Sequence, residues 1–179
     1  VPVYDTAQSG IIYSDDHGAT WNYAKGPSTK KAAMSESQIV EMPDGTLRVY
    51  ARSTGSKIAE AVSLDGGKTW TEAAYVPGMT QPGWGSQLSV IRYGGLIEGK
   101  PALILSTPAG AESTGLHAVD AVNGWTYIMS NFQHPGDSSK LSAELKAKVL
   151  ENYNGGYSAC VGYITADVLP SVKKTTSAK

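Results

Sequence analysis

The string Ser14-Asp15-Asp16-His17-Gly18-Ala19-Thr20-Trp21 returns, starting at residue 63, as Ser63-Leu64-Asp65-Gly66-Gly67-Lys68-Thr69-Trp70. The shared pattern is S-x-D-x-G-x-T-W, and its period falls in the roughly 40–50-residue range of propeller blades built from four short strands. A short apolar run precedes each copy, Gly10–Tyr13 in one case and Ile58–Val62 in the other, and strand-compatible residues follow each Trp. Each copy therefore predicts strand, turn, strand. Asp suits the turn because its carboxylate accepts backbone N–H bonds, and Gly because it tolerates positive φ; the Trp is placed to bury against the blade. A repeat of this kind restricts the chain to a stacked or radial β architecture.

Further turns fit the same plan. Pro43-Asp44-Gly45 separates two apolar runs, and Leu88–Ile91 and Ala102–Leu105 flank another loop, so about three blades are visible. Two stretches stand apart. Residues 139–152 carry Leu141, Leu145, Val149 and Leu150 at helical spacing, with Glu144 and Lys148 four apart, and end before Gly155-Gly156, which predicts a short helical insertion. Residues 171–179 are polar and basic and are expected to form a loose tail after a domain spanning 1–170. An open set of blades leaves faces and strand edges bare, so a missing N-terminal half is expected as a partner.

Composition excludes several classes. With 41% hydrophobic and 17% charged residues the chain is globular rather than disordered, and 15 basic against 16 acidic residues give no footprint for nucleic acid. A single cysteine, Cys160, makes no internal disulfide, and no stretch approaches the roughly 18–20 apolar residues that span a bilayer. His17, His117 and His134 are isolated, with no metal-ligand spacing, and no phosphate loop is present. No metal or cofactor is expected.

The segment most informative about chemistry is Ser35-Glu36-Ser37-Gln38-Ile39-Val40-Glu41-Met42-Pro43-Asp44-Gly45-Thr46-Leu47-Arg48-Val49-Tyr50-Ala51-Arg52. It reads as a hairpin. If Met42 pairs with Thr46 across a three-residue loop, antiparallel register sets Glu36 opposite Arg52, with Cβ atoms about 4.5–5.5 Å apart. A one-residue bulge at the turn would move the partner to 51 or 53. On geometry alone such a pair is also what an ordinary cross-strand ion pair at a sheet rim looks like, worth about 0–1 kcal/mol.

The repeated string is the Asp box, and the pattern S-E-S-x-x-V-E-x-x-D-G-x-L-x-x-x-x-R between its two copies closely resembles the corresponding segment of bacterial-type sialidases. The resemblance implies a six-bladed all-β propeller, seen here in its C-terminal part, and an exo-α-sialidase that removes terminal sialic acid from glycans with retention. It implies that Glu36 activates a tyrosine nucleophile and that Arg52 is one of three arginines gripping the substrate carboxylate. Glu41, of opposite strand parity, matches a structural position. The nucleophile is expected far down the chain in a string such as Gly156-Tyr157-Ser158, which assigns it to Tyr157, with Tyr153 as the alternative.

The chemistry accounts for these residue types. Sialic acid bears a carboxylate on its anomeric carbon, and a second carboxylate attacking there from 4 Å would be repelled by roughly 4 kcal/mol at an effective dielectric of 20. A tyrosine avoids that cost, and sialidases are a known exception to the two-carboxylate scheme. Its phenol, with an ordinary pKa near 10, needs a base. The planar guanidinium suits a carboxylate because it donates two parallel hydrogen bonds while remaining charged.

Three family positions lack a counterpart. The first arginine and the acid aspartate would precede this chain, and where the third arginine should follow Ser106-Thr107-Pro108 the chain reads Ala109-Gly110-Ala111-Glu112-Ser113-Thr114-Gly115. After Tyr157 the expected strand–turn–strand is replaced by 161–170, which has no Asp-Gly turn. A non-catalytic propeller that binds a glycan or a partner is therefore a second expectation, and an Asp-box hydrolase of neutral polysaccharide a third. Sialylated glycans imply a secreted or cell-surface bacterial protein.

Overall fold

The computed structural model describes residues 1–4, 9–81, 87–97, 100–106, 112–122, 125–133, 142–152 and 160–165. Strands β1 (Pro2–Tyr4), β2 (Ser9–Tyr13) and β3 (Asn22–Lys25) form a first antiparallel sheet. A second sheet runs in sequence order through β4 (Ser37–Glu41), β5 (Leu47–Arg52), β6 (Lys57–Ser63) and β7 (Ala74–Thr80). The third is the hairpin β8 (Ser89–Ile97) and β9 (Lys100–Ser106), and the fourth is β10 (Glu112–Val122), β11 (Trp125–Gln133) and β12 (Cys160–Thr165). Among the described residues four sheets thus stand where about three blades are expected, and of these the second alone has four strands. The difference lies in β10 and β11, whose long hairpin pairs Val122 with Trp125. Its sequence signal is Asn123-Gly124, a strong hairpin dipeptide between alternating apolar residues.

The first strands of successive sheets touch: β1 lies against β4, β4 against β8, and β8 against β10. That is the arrangement of blades around an axis, each sheet offering its first strand inward. The second sheet shows why its sequence alternates with both parities apolar. Its odd-numbered face packs Val49, Ala51, Ala59 and Ala61 on Ala32, Met34 and Ala73, with Trp70 half-buried against them. The small alanines let the segment that carries Ala32 and Met34 approach closely. Its even-numbered face packs Val40, Tyr50 and Ile58 on Leu88 and Val90 of the third sheet. A blade covered on both faces needs apolar residues on both.

The two repeats fold alike, as the shared string demands. Asp16 accepts from Thr20 N (2.8 Å), Thr20 Oγ1 (2.5 Å) and Ser14 Oγ (2.7 Å), and Asp65 accepts from Thr69 N (2.9 Å), Thr69 Oγ1 (2.5 Å) and Ser63 Oγ (2.8 Å). The serine hydroxyls in turn accept from Gly18 N and Gly67 N. These bonds, Thr first, pull both carboxyls down to a pKa of about 2. Only the second box closes over its tryptophan, whose indole donates to the Gly67 carbonyl at 3.0 Å; Trp21 is 57% exposed.

The inserted helix is present as α1 (Ala143–Asn152), between β11 and β12. It starts at Ala143 because Ser142 is its cap, taking the Leu145 N–H on its hydroxyl and the Lys146 N–H on its carbonyl. Glu144 and Lys148 pair at 2.9 Å, and none of its residues is buried. Residues 139–141 and 166–179, which include the tail, lie outside the described residues.

Candidate functional site

The β4–β5 hairpin decides where Glu36 and Arg52 go. Its turn is closed by Met42 N donating to the Thr46 carbonyl at 2.8 Å and Gly45 N donating to the Met42 carbonyl at 3.0 Å. Gly45 sits at φ +81, where a side chain would be strained, and Asp44 Oδ1 accepts the Thr46 N–H at 2.9 Å. No bulge intervenes: Glu41 pairs with Leu47, Gln38 with Tyr50 and Ser37 with Ala51. The register therefore runs unbroken to the open end, and the alternative partners at 51 and 53 are excluded.

At that end Arg52 N donates to the Glu36 carbonyl at 2.9 Å, and Arg52 Nη1 donates to Glu36 Oε2 at 2.8 Å. The side chains are 28% (Glu36) and 30% (Arg52) exposed, open to a ligand but not free to splay. Ser35 fixes the strand ends by donating both its N–H (3.0 Å) and its hydroxyl (3.2 Å) to the Arg52 carbonyl. A carboxylate able to take a proton and a permanently charged planar donor thus sit side by side on one rim, on the face that looks toward β8.

Further down β5 on the same face, Arg48 Nη1 donates to Glu60 Oε1 at 2.5 Å and the Tyr50 hydroxyl donates to the same oxygen at 2.8 Å. This cluster also joins a tyrosine, a carboxylate and an arginine, yet it does not make a nucleophile. Tyr50 is buried, and burial first, then the Glu60 carboxylate, pushes its phenol up to about 12, the wrong direction for ionisation at neutral pH. Its role is to satisfy charges between sheets. The hairpin sequence alone did not show it, because Glu60 comes from β6; the β5–β6 register, which pairs Tyr50 with Glu60, reveals it.

Tyr157 and Tyr153 both lie outside the described residues, as do 109–111 of the segment where the third arginine is expected. Residues 112–115 of that segment open β10 and hold no arginine. Among the described residues no group of His, Cys, Asp and Glu could hold a metal ion, and no helix is long and apolar enough to cross a membrane. A shallow depression lined by Met42, Pro43, Asp44, Thr46, Arg48 and Pro101 lies at the turn end of the hairpin, away from Glu36 and Arg52.

Known proteins resemble this chain in sequence and in fold. The BNR/Asp-box repeat model matches residues 12–23 and 61–72. The anhydrosialidase of Macrobdella decora is 47% identical over 110 residues, 60% of this chain and 14% of that protein. Among solved structures, a mutant of the NanB sialidase from Streptococcus pneumoniae superposes with a TM-score of 0.63 at 28% identity, covering 76% of this chain and 25% of that one. The intramolecular trans-sialidase from Ruminococcus gnavus, in complex with oseltamivir carboxylate, gives 0.54 at 32% identity over 93% of this chain and 30% of that one. The chain spans about one-seventh of the leech relative's length. Two Asp boxes flanking a Glu–Arg hairpin, and relatives of this kind, make the chain similar to part of the β-propeller of bacterial-type sialidases.

Proposed function

We propose that this chain is the C-terminal part of the catalytic propeller of an exo-α-sialidase acting on sialylated glycans outside the cell. The observation that carries the reading is the Glu36–Arg52 contact, 2.8 Å, on an unbulged hairpin between two Asp boxes. In this reading Arg52 takes part in binding the substrate carboxylate and Glu36 is the general base for the Tyr157 hydroxyl. The phenolic oxygen attacks the anomeric carbon, its proton passes to Glu36, and the glycosidic bond breaks as an acid from outside this chain protonates the leaving oxygen. The deprotonated acid then takes the proton of an incoming hydroxyl, whose oxygen displaces the tyrosyl oxygen from the anomeric carbon while Glu36 returns its proton to that phenol oxygen.

The N-terminal half of the propeller is the partner this reading requires. Tyr4 and Tyr13, on one face of the first sheet, are 50% and 39% exposed, and Tyr23, on the other face, is 61% exposed, aromatic surface of the kind neighbouring blades cover.

A second reading concerns the incoming hydroxyl. The leech anhydrosialidase and the Ruminococcus intramolecular trans-sialidase carry names that describe transfer within the sugar, and the latter matches 93% of this chain. Transfer to a hydroxyl of the bound sugar would release an anhydro product, one water lighter than free sialic acid. Incubating the full-length protein with a sialoside and weighing the released sugar separates the outcomes. Free or anhydro sialic acid supports an enzyme, whereas sialic acid binding without release would instead leave a glycan-binding propeller.

A further inference from the structure

We infer that Gln38 is a positioning residue for Glu36, acting as a strap between the second and third sheets; the inference rests on the sialidase reading of Glu36. Gln38 lies two residues from Glu36 on the same face of β4, directly across from Tyr50 on β5. Its side-chain carbonyl accepts the backbone N–H of Val90 on β8 at 2.5 Å. This bond joins residues far apart in the chain and belongs to neither sheet's own ladder.

The Val90 N–H needs such a partner. Val90 is buried, packed with Leu88, Val40 and Tyr50, and its N–H points to the Gln38 oxygen rather than into the β8–β9 ladder. A buried backbone donor left unpaired is unfavourable, so an acceptor must come from across the interface. Valine, leucine or methionine would fill the space beside Val40 equally well, but none can accept that bond. A glutamine here, in an otherwise apolar row of Val40, Ile58, Leu88 and Val90, is therefore explained by the bond rather than by packing.

The consequence for the site is mechanical. Ser35 and Arg52 bind Glu36 into the hairpin, fixing the pair internally, but those bonds do not fix the hairpin against the rest of the ring. Gln38 does so at the residue nearest Glu36 on that face. Proton transfer demands a base within hydrogen-bond reach of its partner, and a small slide of β4 against β8 would spoil that reach without unfolding anything.

The test compares Gln38→Met, Gln38→Glu and Val40→Ala in the full-length protein. Gln38→Met keeps the volume and removes the acceptor; it should speed hydrogen exchange of the peptide containing the Val90 amide by roughly tenfold. It should also lower kcat on a fluorogenic sialoside by about tenfold or more, with KM changed less. Gln38→Glu retains an acceptor at neutral pH and should recover most of both losses. Val40→Ala loosens the same interface by packing alone and should lower Tm while leaving kcat within about threefold of the unsubstituted protein. Unchanged Val90 exchange in Gln38→Met, or a fall in kcat that tracks Tm equally in Val40→Ala, would overturn the strap. If the unsubstituted protein turned over no sialoside, the sialidase reading and the positioning role would fall together, and faster Val90 exchange in Gln38→Met would still establish the bond as structural.

Discussion

At the scale of residues, the two boxes invite comparison, since one fold is built from two strings that differ at three positions, Asp15/Leu64, His17/Gly66 and Ala19/Lys68, of which His17/Gly66 bears on the backbone. Both positions are left-handed, with φ of 57 at His17 and 72 at Gly66, and only glycine adopts that region without cost. His17→Gly should therefore stabilise the first box, by about 0.5 kcal/mol after the greater freedom of glycine in the unfolded chain is subtracted. Thermal melting of the variant measures it. The carboxyls of Asp16 and Asp65 carry a pH signature. Their folded pKa of about 2 lies below the ordinary 3.8, so the stability they contribute is complete above about pH 4 and is lost as pH falls through 2. Acid denaturation of Asp65→Asn should accordingly show a flatter dependence across that window. Tyr50→Phe removes the hydroxyl bond to Glu60 but leaves Glu60 its Arg48 partner, and should cost about 1 kcal/mol without changing the fold.

Elements differ in what covers them. The second sheet is packed on both faces, and its box tryptophan packs against the core cluster that contains Ala32, Met34 and Val49, with the indole N–H satisfied. Trp70→Ala should therefore cost about 3 kcal/mol in urea unfolding. The same change at Trp21, which is 57% exposed, should be nearly silent in this chain. In the full-length protein, if a preceding blade lies over the first sheet, Trp21→Ala should become costly as well, so the pair of variants reports on the missing neighbour. The helix α1 is the opposite case. Its cap and its Glu144–Lys148 pair follow from local spacing, while Leu150 is 70% exposed.

The whole molecule sets the limit on activity. A propeller site is assembled from loops and strand ends of several blades, and under the proposed function this chain contributes the Glu36–Arg52 pair on one rim. Acid assistance is typically worth about 10²–10⁴-fold. If the proposed function holds, with the acid and two of the three carboxylate-binding arginines contributed from outside this chain, the isolated chain should turn over a fluorogenic sialoside at least that much more slowly than the full-length protein. Comparable kcat/KM in the two would mean that residues assigned here to structure perform the chemistry.

The sequence by itself determined the local devices: the two boxes, the 43–45 turn, a short helix ending at 152 and Arg52 or its immediate neighbour as the partner of Glu36. Each depends on residues close along the chain or on a register that one tight turn transmits. It also carries, in Asn123-Gly124, the signal of the β10–β11 hairpin, beyond the stretch that the family resemblance covers. Only the tertiary structure decided that no bulge displaces the pair, that Arg48 and Tyr50 converge on Glu60, that Trp70 is covered and Trp21 is not, and that Gln38 reaches Val90. Those facts depend on which strand or sheet lies alongside another. Such contacts join residues remote in sequence, and a single chain's pattern of polar and apolar residues marks which faces are covered without saying by what.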